Sequence, residues 1–123
     1  MLKKIHHIAV ICSDYEKSKY FYTEILGFEI TQEVYREERQ SYKLDLSLNG
    51  NYCIELFSFP NPPERTSRPE AFGLRHLAFE VENIENTIEM LSNHNIKAEA
   101  ITIEEFGQKR CTFFEDPVQL PVE

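Results

Sequence analysis

The sequence repeats itself. His7-Ile8-Ala9-Val10 returns 69 positions later as His76-Leu77-Ala78-Phe79, and the same shift lays Asp14 on Asn83, Glu16 on Glu85, Ser18 on Thr87 and Phe21 on Met90. Further along, a shift of 68 lays Ile54-Glu55 on Val122-Glu123. Self-similarity at this spacing means two copies of one supersecondary unit. The whole chain has 123 residues, so one copy alone would be close to the lower limit for independent folding. A single domain built from two modules that share a core is expected.

Each copy has the same order of elements. Residues 5–11 alternate as a half-buried strand, with His7, Ala9 and Ile11 on one face and Ile8 and Val10 on the other. Ser13 and Glu16 have capping-box spacing ahead of a helix expected over 15–26, which Gly27 ends by taking positive φ. Strands are expected over 28–36 and 41–48, then a hairpin turn at Asn49-Gly50-Asn51, then a strand over 52–59. Residues 60–73 are rich in proline and arginine and form the crossover, with a loop over the site as the alternative. The second module has a strand over 74–81, a helix over 84–93 capped by Asn83, and a left-handed stop at Asn95. Strands follow over 97–103, 109–114 and 120–123. The tally is βαβββ twice, with module one at about 1–59 and module two at about 74–123.

The repeat puts two imidazoles and two carboxylates, His7, Glu55, His76 and Glu123, at equivalent points. Each is flanked by aliphatic residues that can pack under a helix, which turns the polar group to the opposite face. Taken one at a time, each of these residues reads better as a solvated or salt-bridged side chain. Arg75, for example, could be a partner for Glu55. The run Tyr52 to Phe57 is too apolar for an exposed carboxylate, and a buried one needs a cation or hydrogen bonds. Taken together, the four suit a divalent metal. Registration with His76 selects His7 over His6. His94, near a helix end, answers the helix dipole instead.

Composition narrows the partners. Lys plus Arg number 13 and Asp plus Glu 21, for a net charge of −8, which disfavours nucleic acid. No apolar run reaches the ~20 residues of a membrane helix, and no signal peptide is visible. Cys12, Cys53 and Cys111 form no CxxC pair, which fits a reduced, cytoplasmic setting.

The stretches His7-Ile8-Ala9-Val10, Phe21-Tyr22-Thr23-Glu24-Ile25-Leu26-Gly27-Phe28, Ile54-Glu55-Leu56, Arg75-His76-Leu77-Ala78-Phe79 and Phe113-Phe114-Glu115-Asp116-Pro117 appear in this order over essentially the whole chain. The chain thereby resembles the vicinal oxygen chelate (glyoxalase/bleomycin resistance/dioxygenase) superfamily, and its short glyoxalase I-like bacterial members in particular. The resemblance implies an α+β fold of paired βαβββ modules. These would form an eight-stranded, open, cup-like mixed sheet with the helices outside. It also implies metal ligands at His7, Glu55, His76 and Glu123, and frequent pairing into homodimers. Two departures stand out. Asp116-Pro117-Val118-Gln119 lacks the glycine usual in that turn, and Glu123 is the last residue, where fraying is expected.

The activity implied is that of a metal-dependent, glyoxalase I-like lyase or isomerase. It would act on a small oxo substrate through a metal-stabilised enediolate, with Glu123 or Glu55 as the base. Octahedral N/O ligation favours Ni²⁺ or Co²⁺, with Zn²⁺, Mn²⁺ and Fe²⁺ also compatible. Arg36, Arg39, Arg65, Arg68, Lys109 and Arg110 are candidate contacts for an anionic substrate tail, Arg65 and Arg68 foremost. The alternatives on the same frame are three. One is an Fe²⁺ ring-cleaving dioxygenase using His7, His76 and Glu123, and another an epimerase acting beside a thioester carbonyl. The third is a non-enzymatic small-molecule-binding or resistance protein.

Overall fold

The sheet of the first module begins at β1 (Ile8–Cys12), whose Val10 and Cys12 are buried while Ala9 and Ile11 are exposed. This is the alternation expected of a strand with one face under a helix. That helix, α1 (Tyr15–Tyr20), packs on the last strand of the module. The computed structural model describes residues 1–123 and divides into two compact units, 1–64 and 65–123. The division falls inside the proline-rich crossover.

In the first unit, β2 (Glu29–Arg36), β3 (Ser41–Leu48) and β4 (Asn51–Ser58) follow α1, and the strand order is β1-β4-β3-β2. β1 and β4 are parallel, with Ile8 opposite Ile54 and Ala9 opposite Glu55. The other two pairings are antiparallel. Val10, Leu44, Leu46, Ile54 and Leu56 are all buried. Asn49 and Gly50, at φ 51° and 80°, make the expected two-residue hairpin turn. Gly27 ends the helical segment at φ 83°.

Two local expectations are corrected. The helix cap is Asp14 and not Ser13, since the Asp14 carboxylate accepts from the Lys17 amide at 3.1 Å. Asn83 accepts from the Asn86 amide at 2.9 Å in the second unit, so the two caps are repeat-equivalent. The helix also leaves α geometry after Tyr20 and continues as a π-helical segment, Phe21–Ile25. Thr23 donates its hydroxyl to the Lys19 carbonyl at 2.7 Å, and the Leu26 amide reaches back to Phe21 at 3.0 Å. A side chain that occupies an i−4 carbonyl favours such widening.

The second unit contains α2 (Ile84–Asn93), β5 (Thr102–Ile103), β6 (Arg110–Cys111), β7 (Phe114–Glu115) and β8 (Pro121–Val122). The chain is thus α+β with eight named strands. They form one four-stranded sheet and two two-stranded sheets, β5-β6 and β7-β8. The expected strand over 74–81 is reduced to a parallel bridge, Leu77 with Val122. Alanine and glutamate at 97–105 weaken strand formation. Pro121 has no amide to extend the parallel ladder beside Leu77.

The register is nevertheless repeated. Val34–Lys43 and Tyr35–Tyr42 of the first sheet reappear as Thr102–Cys111 and Ile103–Arg110, and Leu46–Ile54 as Phe114–Val122. Each is displaced by 68. The Ile8–Ile54 pairing reappears as Leu77–Val122. Asn95, at φ 60°, takes the role of Gly27.

Candidate functional site

In the first unit, His7 lies one residue before β1 and shares the face of Ala9, which pairs with Glu55. That register brings His7 Nε2 to 3.4 Å from Glu55 Oε1. The other carboxylate oxygen is already held. Tyr52 donates its hydroxyl to Glu55 Oε2 at 2.6 Å, and Lys43 Nζ lies 3.3 Å away. Lys43 also donates to Asp45 Oδ1 at 2.8 Å, and Asp45 stands directly opposite Glu55 across the β3–β4 pair. Two facing carboxylates repel, and the ammonium between them relieves this. Glu55 is only 9% exposed. Burial pushes its carboxyl up, but Tyr52 and Lys43 outweigh that and hold it below the ordinary range. Burial and the Glu55 hydrogen bond push the Tyr52 phenol up. The hydrogen bond it donates to Asp45 is the chief reason that Lys43 is raised.

The sequence pointed to Glu55 but not to Tyr52 or Lys43. Three residues apart on one strand, Tyr52 and Glu55 should face opposite ways. A bulge reverses this: Leu46 pairs with Ile54 while Ser47 pairs with Tyr52, so Cys53 is the extra residue. The cause is the turn. A two-residue loop between Leu48 and Asn51 would set Leu44 and Leu46 out of phase with Ile54 and Leu56, and one inserted residue restores the buried face. That phase conflict was the readable signal for Tyr52.

In the second unit, His76 Nε2 is 3.3 Å from Glu123 Oε2. The last residue is tied down by backbone hydrogen bonds. The Glu123 amide donates to the Leu77 carbonyl at 2.7 Å, and the Phe79 amide donates to Glu123 at 2.8 Å. The Phe113 ring meets His76 edge-on at 5.2 Å between centroids. Arg75 Nη1 is 3.2 Å from His76 Nδ1. A guanidinium only donates, so a neutral His76 in this contact accepts at Nδ1 and carries its proton on Nε2, toward Glu123. To offer Nε2 as a lone-pair donor, His76 must be released by Arg75. His7 Nδ1 instead faces His6 Nδ1 at 2.8 Å, a partner that can accept.

Each unit therefore gathers one imidazole and one carboxylate, and neither gathers three such ligands by itself. Each pair, taken by itself, has the spacing of two neighbouring positions on an ion. Donor atoms at about 2.1 Å from a metal stand roughly 3.0–3.4 Å apart when adjacent. Glu55 needs no metal to be buried, because Tyr52 and Lys43 stabilise its charge. Its Oε1 remains directed at His7.

The remaining candidates are placed as follows. Arg36 lies over the Phe57 and Phe59 rings at 4.9 and 5.8 Å and donates to Ser41 Oγ at 2.8 Å, with its buried Nε unpartnered. Arg65 turns inward, donating to Ser67 Oγ at 2.7 Å and to the Leu74 carbonyl at 2.9 Å. Arg110 is paired with Glu85. Arg39 and Lys109 are exposed. His94 donates from Nδ1 to the Met90 carbonyl at 3.0 Å, serving the helix end. None of the three cysteines is in a disulfide. No helix is long and apolar enough to cross a membrane.

Comparison with known proteins places the family. A model of the Glyoxalase/Bleomycin resistance protein/Dioxygenase superfamily matches residues 4–123. "Uncharacterized protein YwkD" of Bacillus subtilis is 63% identical over 123 residues, covering 100% of this chain and 96% of that protein. The mitochondrial methylmalonyl-CoA epimerase of Homo sapiens is 29% identical over 104 residues, which is 79% of this chain and 57% of the epimerase. Among solved structures, a glyoxalase family protein from Enterococcus faecalis matches with a TM-score of 0.89 at 46% identity, over 98% of this chain and 94% of that one. The chain belongs to the glyoxalase/bleomycin resistance protein/dioxygenase superfamily, which takes in enzymes as well as resistance proteins.

Proposed function

We propose that the chain is a metal-dependent enzyme that moves a proton at the carbon beside a carbonyl of a small oxo substrate, as a glyoxalase I-like lyase or isomerase does. One observation carries this reading. Two repeat-equivalent imidazole–carboxylate pairs have the same Nε2-to-oxygen spacing, 3.4 and 3.3 Å. On this reading His7, Glu55, His76 and Glu123 together hold one divalent ion, Ni²⁺ or Co²⁺ by preference. When bound, the ion supplies Lewis-acid polarisation of adjacent substrate oxygens.

The two carboxylates then divide the work. Glu55 is pinned at Oε2 by Tyr52 and Lys43, and outer partners of this kind orient a ligand carboxylate. Its lowered carboxyl also makes it a weak base. Glu123 has a side chain 31% exposed against 12% for Glu55, and His76 is its ion-pair partner. It has the freedom to take a proton from carbon and return it. Within that class, epimerisation beside a thioester carbonyl is the second reading, favoured by the likeness to methylmalonyl-CoA epimerase. A homodimer completes the proposal. β2 is an edge strand with Ile30, Val34 and Tyr35 exposed, and sedimentation should give twice the mass of one chain.

The test is metal analysis of untagged protein followed by two assays, methylglyoxal–glutathione isomerisation and methylmalonyl-CoA epimerisation, with deuterium uptake from solvent as the shared readout. The expected result is one equivalent of nickel, cobalt or zinc and deuterium uptake in one assay. Iron with oxygen consumption would move the reading to a dioxygenase. No metal under any loading condition would leave a small-molecule binder.

A further inference from the structure

The second unit contains a cleft of about 140 Å³ whose lining includes Arg65, Ser67, Arg68, Arg75, Phe113 and Pro121. Its chemistry is unusual for a chain with a net charge of −8. Three arginines fall within the eleven residues 65–75 and line one small space.

They are not equivalent. Arg65 is a strut: its bonds to Ser67 and to the Leu74 carbonyl, with Ser67 donating in turn to the Gln119 carbonyl at 2.6 Å, hold the wall in shape. Arg68 is 63% exposed in its side chain, and its nearest carboxylate oxygens, on Glu115 and Glu99, lie 3.7 and 4.0 Å away. Both are beyond hydrogen-bonding reach, so its donors are uncommitted. Arg75 is similarly exposed; its Nη2 lies 3.5 Å from Glu70, and its Nη1 is the group in contact with His76 Nδ1 at 3.2 Å. The volume is roughly that of four or five waters. A small oxyanion headgroup fits in it.

We propose that this cleft is an anion subsite, in which Arg68 and Arg75 receive a carboxylate, phosphate or phosphonate group. Guanidinium forks bind such oxyanions bidentately. Phe113 both lines the cleft and meets the His76 ring, so a group held here leaves the rest of a short molecule beside His76 and Glu123. This last step rests on the proposed proton-transfer function and narrows its substrate to a short anionic oxo compound. The anion binding itself does not depend on that function. Glu99 and Glu70, which line the same cleft, compete for Arg68 and Arg75 respectively and weaken the site.

Titrating inorganic phosphate, methylphosphonate and acetate into chelator-treated, metal-free protein separates the two readings. The expected result is saturable binding, tighter than chloride at equal ionic strength, with guanidinium NMR shifts at Arg68 and Arg75 and none at Arg36 or Arg110. Arg68→Gln and Arg75→Gln should each weaken it about tenfold, the size of one charge-assisted contact. Glu99→Gln should strengthen it several-fold. The strongest of the three probes identifies the headgroup. Unchanged affinity in Arg68→Gln with the native melting curve retained, or no preference over chloride, would overturn the proposal and leave the metal reading untouched.

Discussion

Tyr52 and Leu120 occupy equivalent places in the two modules and do opposite things. Tyr52 turns to the site face and donates to Glu55, whereas Leu120 is buried at 2% exposure. The difference comes from the turn before each strand. In the first module a two-residue turn forces the bulge at Cys53. In the second, three residues, Pro117 to Gln119, connect Asp116 to Leu120, which close on each other at 3.0 Å. Phe114–Val122 and Glu115–Pro121 then pair in regular register with no bulge. Counted by the same displacement, Lys43, Asp45 and Tyr52 become Cys111, Phe113 and Leu120. One module holds its carboxylate in a polar cradle, and the other pairs it only with His76, whose ring meets Phe113. Duplication preserved the register, and a single residue of turn length decided which side chains could reach the site.

The largest expected effect concerns the two carboxylates. Glu123→Gln should weaken metal binding less than Glu55→Gln does and lower turnover by about 10²–10⁴-fold, the usual contribution of a general base. Glu55→Gln should lose metal affinity by more than the ~10–100-fold typical of an outer-shell partner. Metal titration beside deuterium uptake checks both. If the two variants lose metal equally, the asymmetry between the modules has no chemical meaning.

Next come the equivalent positions themselves. Leu120→Ala should cost about 2–5 kcal/mol as a core cavity. Tyr52→Phe should cost about 1.5–3 kcal/mol as a lost hydrogen bond to a charged, buried group. Denaturant midpoints measure both. A neutral Tyr52→Phe would show that the cradle contributes nothing to folding.

The pH response should draw chiefly on the more enclosed carboxylates of the first unit, since the lowered Glu70 and Glu85 of the second are fully exposed and screened by solvent. Glu33, held low chiefly by the Lys19 hydrogen bond and also by Tyr15, and Glu55, whose partners outweigh its burial, both lie in the first unit. A carboxyl lowered on folding contributes stability that is complete above its ordinary value of 4.5. That contribution is lost as pH falls through the lowered folded value. Unfolding curves should therefore be flat in this respect from pH 7 to about 5 and weaken below, less so in Glu55→Gln.

The smallest effect belongs to the turn of the second module. Gln119 sits at φ 61°, where a side chain costs about 1–2 kcal/mol. The Asp116 carboxylate compensates by accepting from the Val118 and Leu120 amides, both at 2.9 Å. Gln119→Gly should raise stability by about 0.5–1 kcal/mol, after the greater unfolded-state freedom of glycine. A melting temperature raised by a few degrees would support this, and a fall would show that the turn is already relaxed.

Much of this was legible in the chain. The repeat placed the caps, the stops and the two imidazole–carboxylate pairs. Its own alignment of Asp14 with Asn83 pointed to the true cap, which the capping-box spacing of Ser13 and Glu16 obscured. Hydrophobic alternation located β3 over Ser41–Leu48 without error. The same pattern overestimated the strands of the second module, since periodicity marks which face is apolar and not whether a ladder has the donors to persist, as Pro121 shows.

The order of elements, the register of pairing and the identity of the four polar residues are local or repeated properties, carried by spacing along the chain. Which groups surround those four was decided only in three dimensions. The reach of Lys43 to Glu55 and the rotation of Tyr52 both depend on phase between neighbouring strands. That phase follows from where the buried leucines must meet, an energy set by packing across the sheet and not by any residue's immediate neighbours.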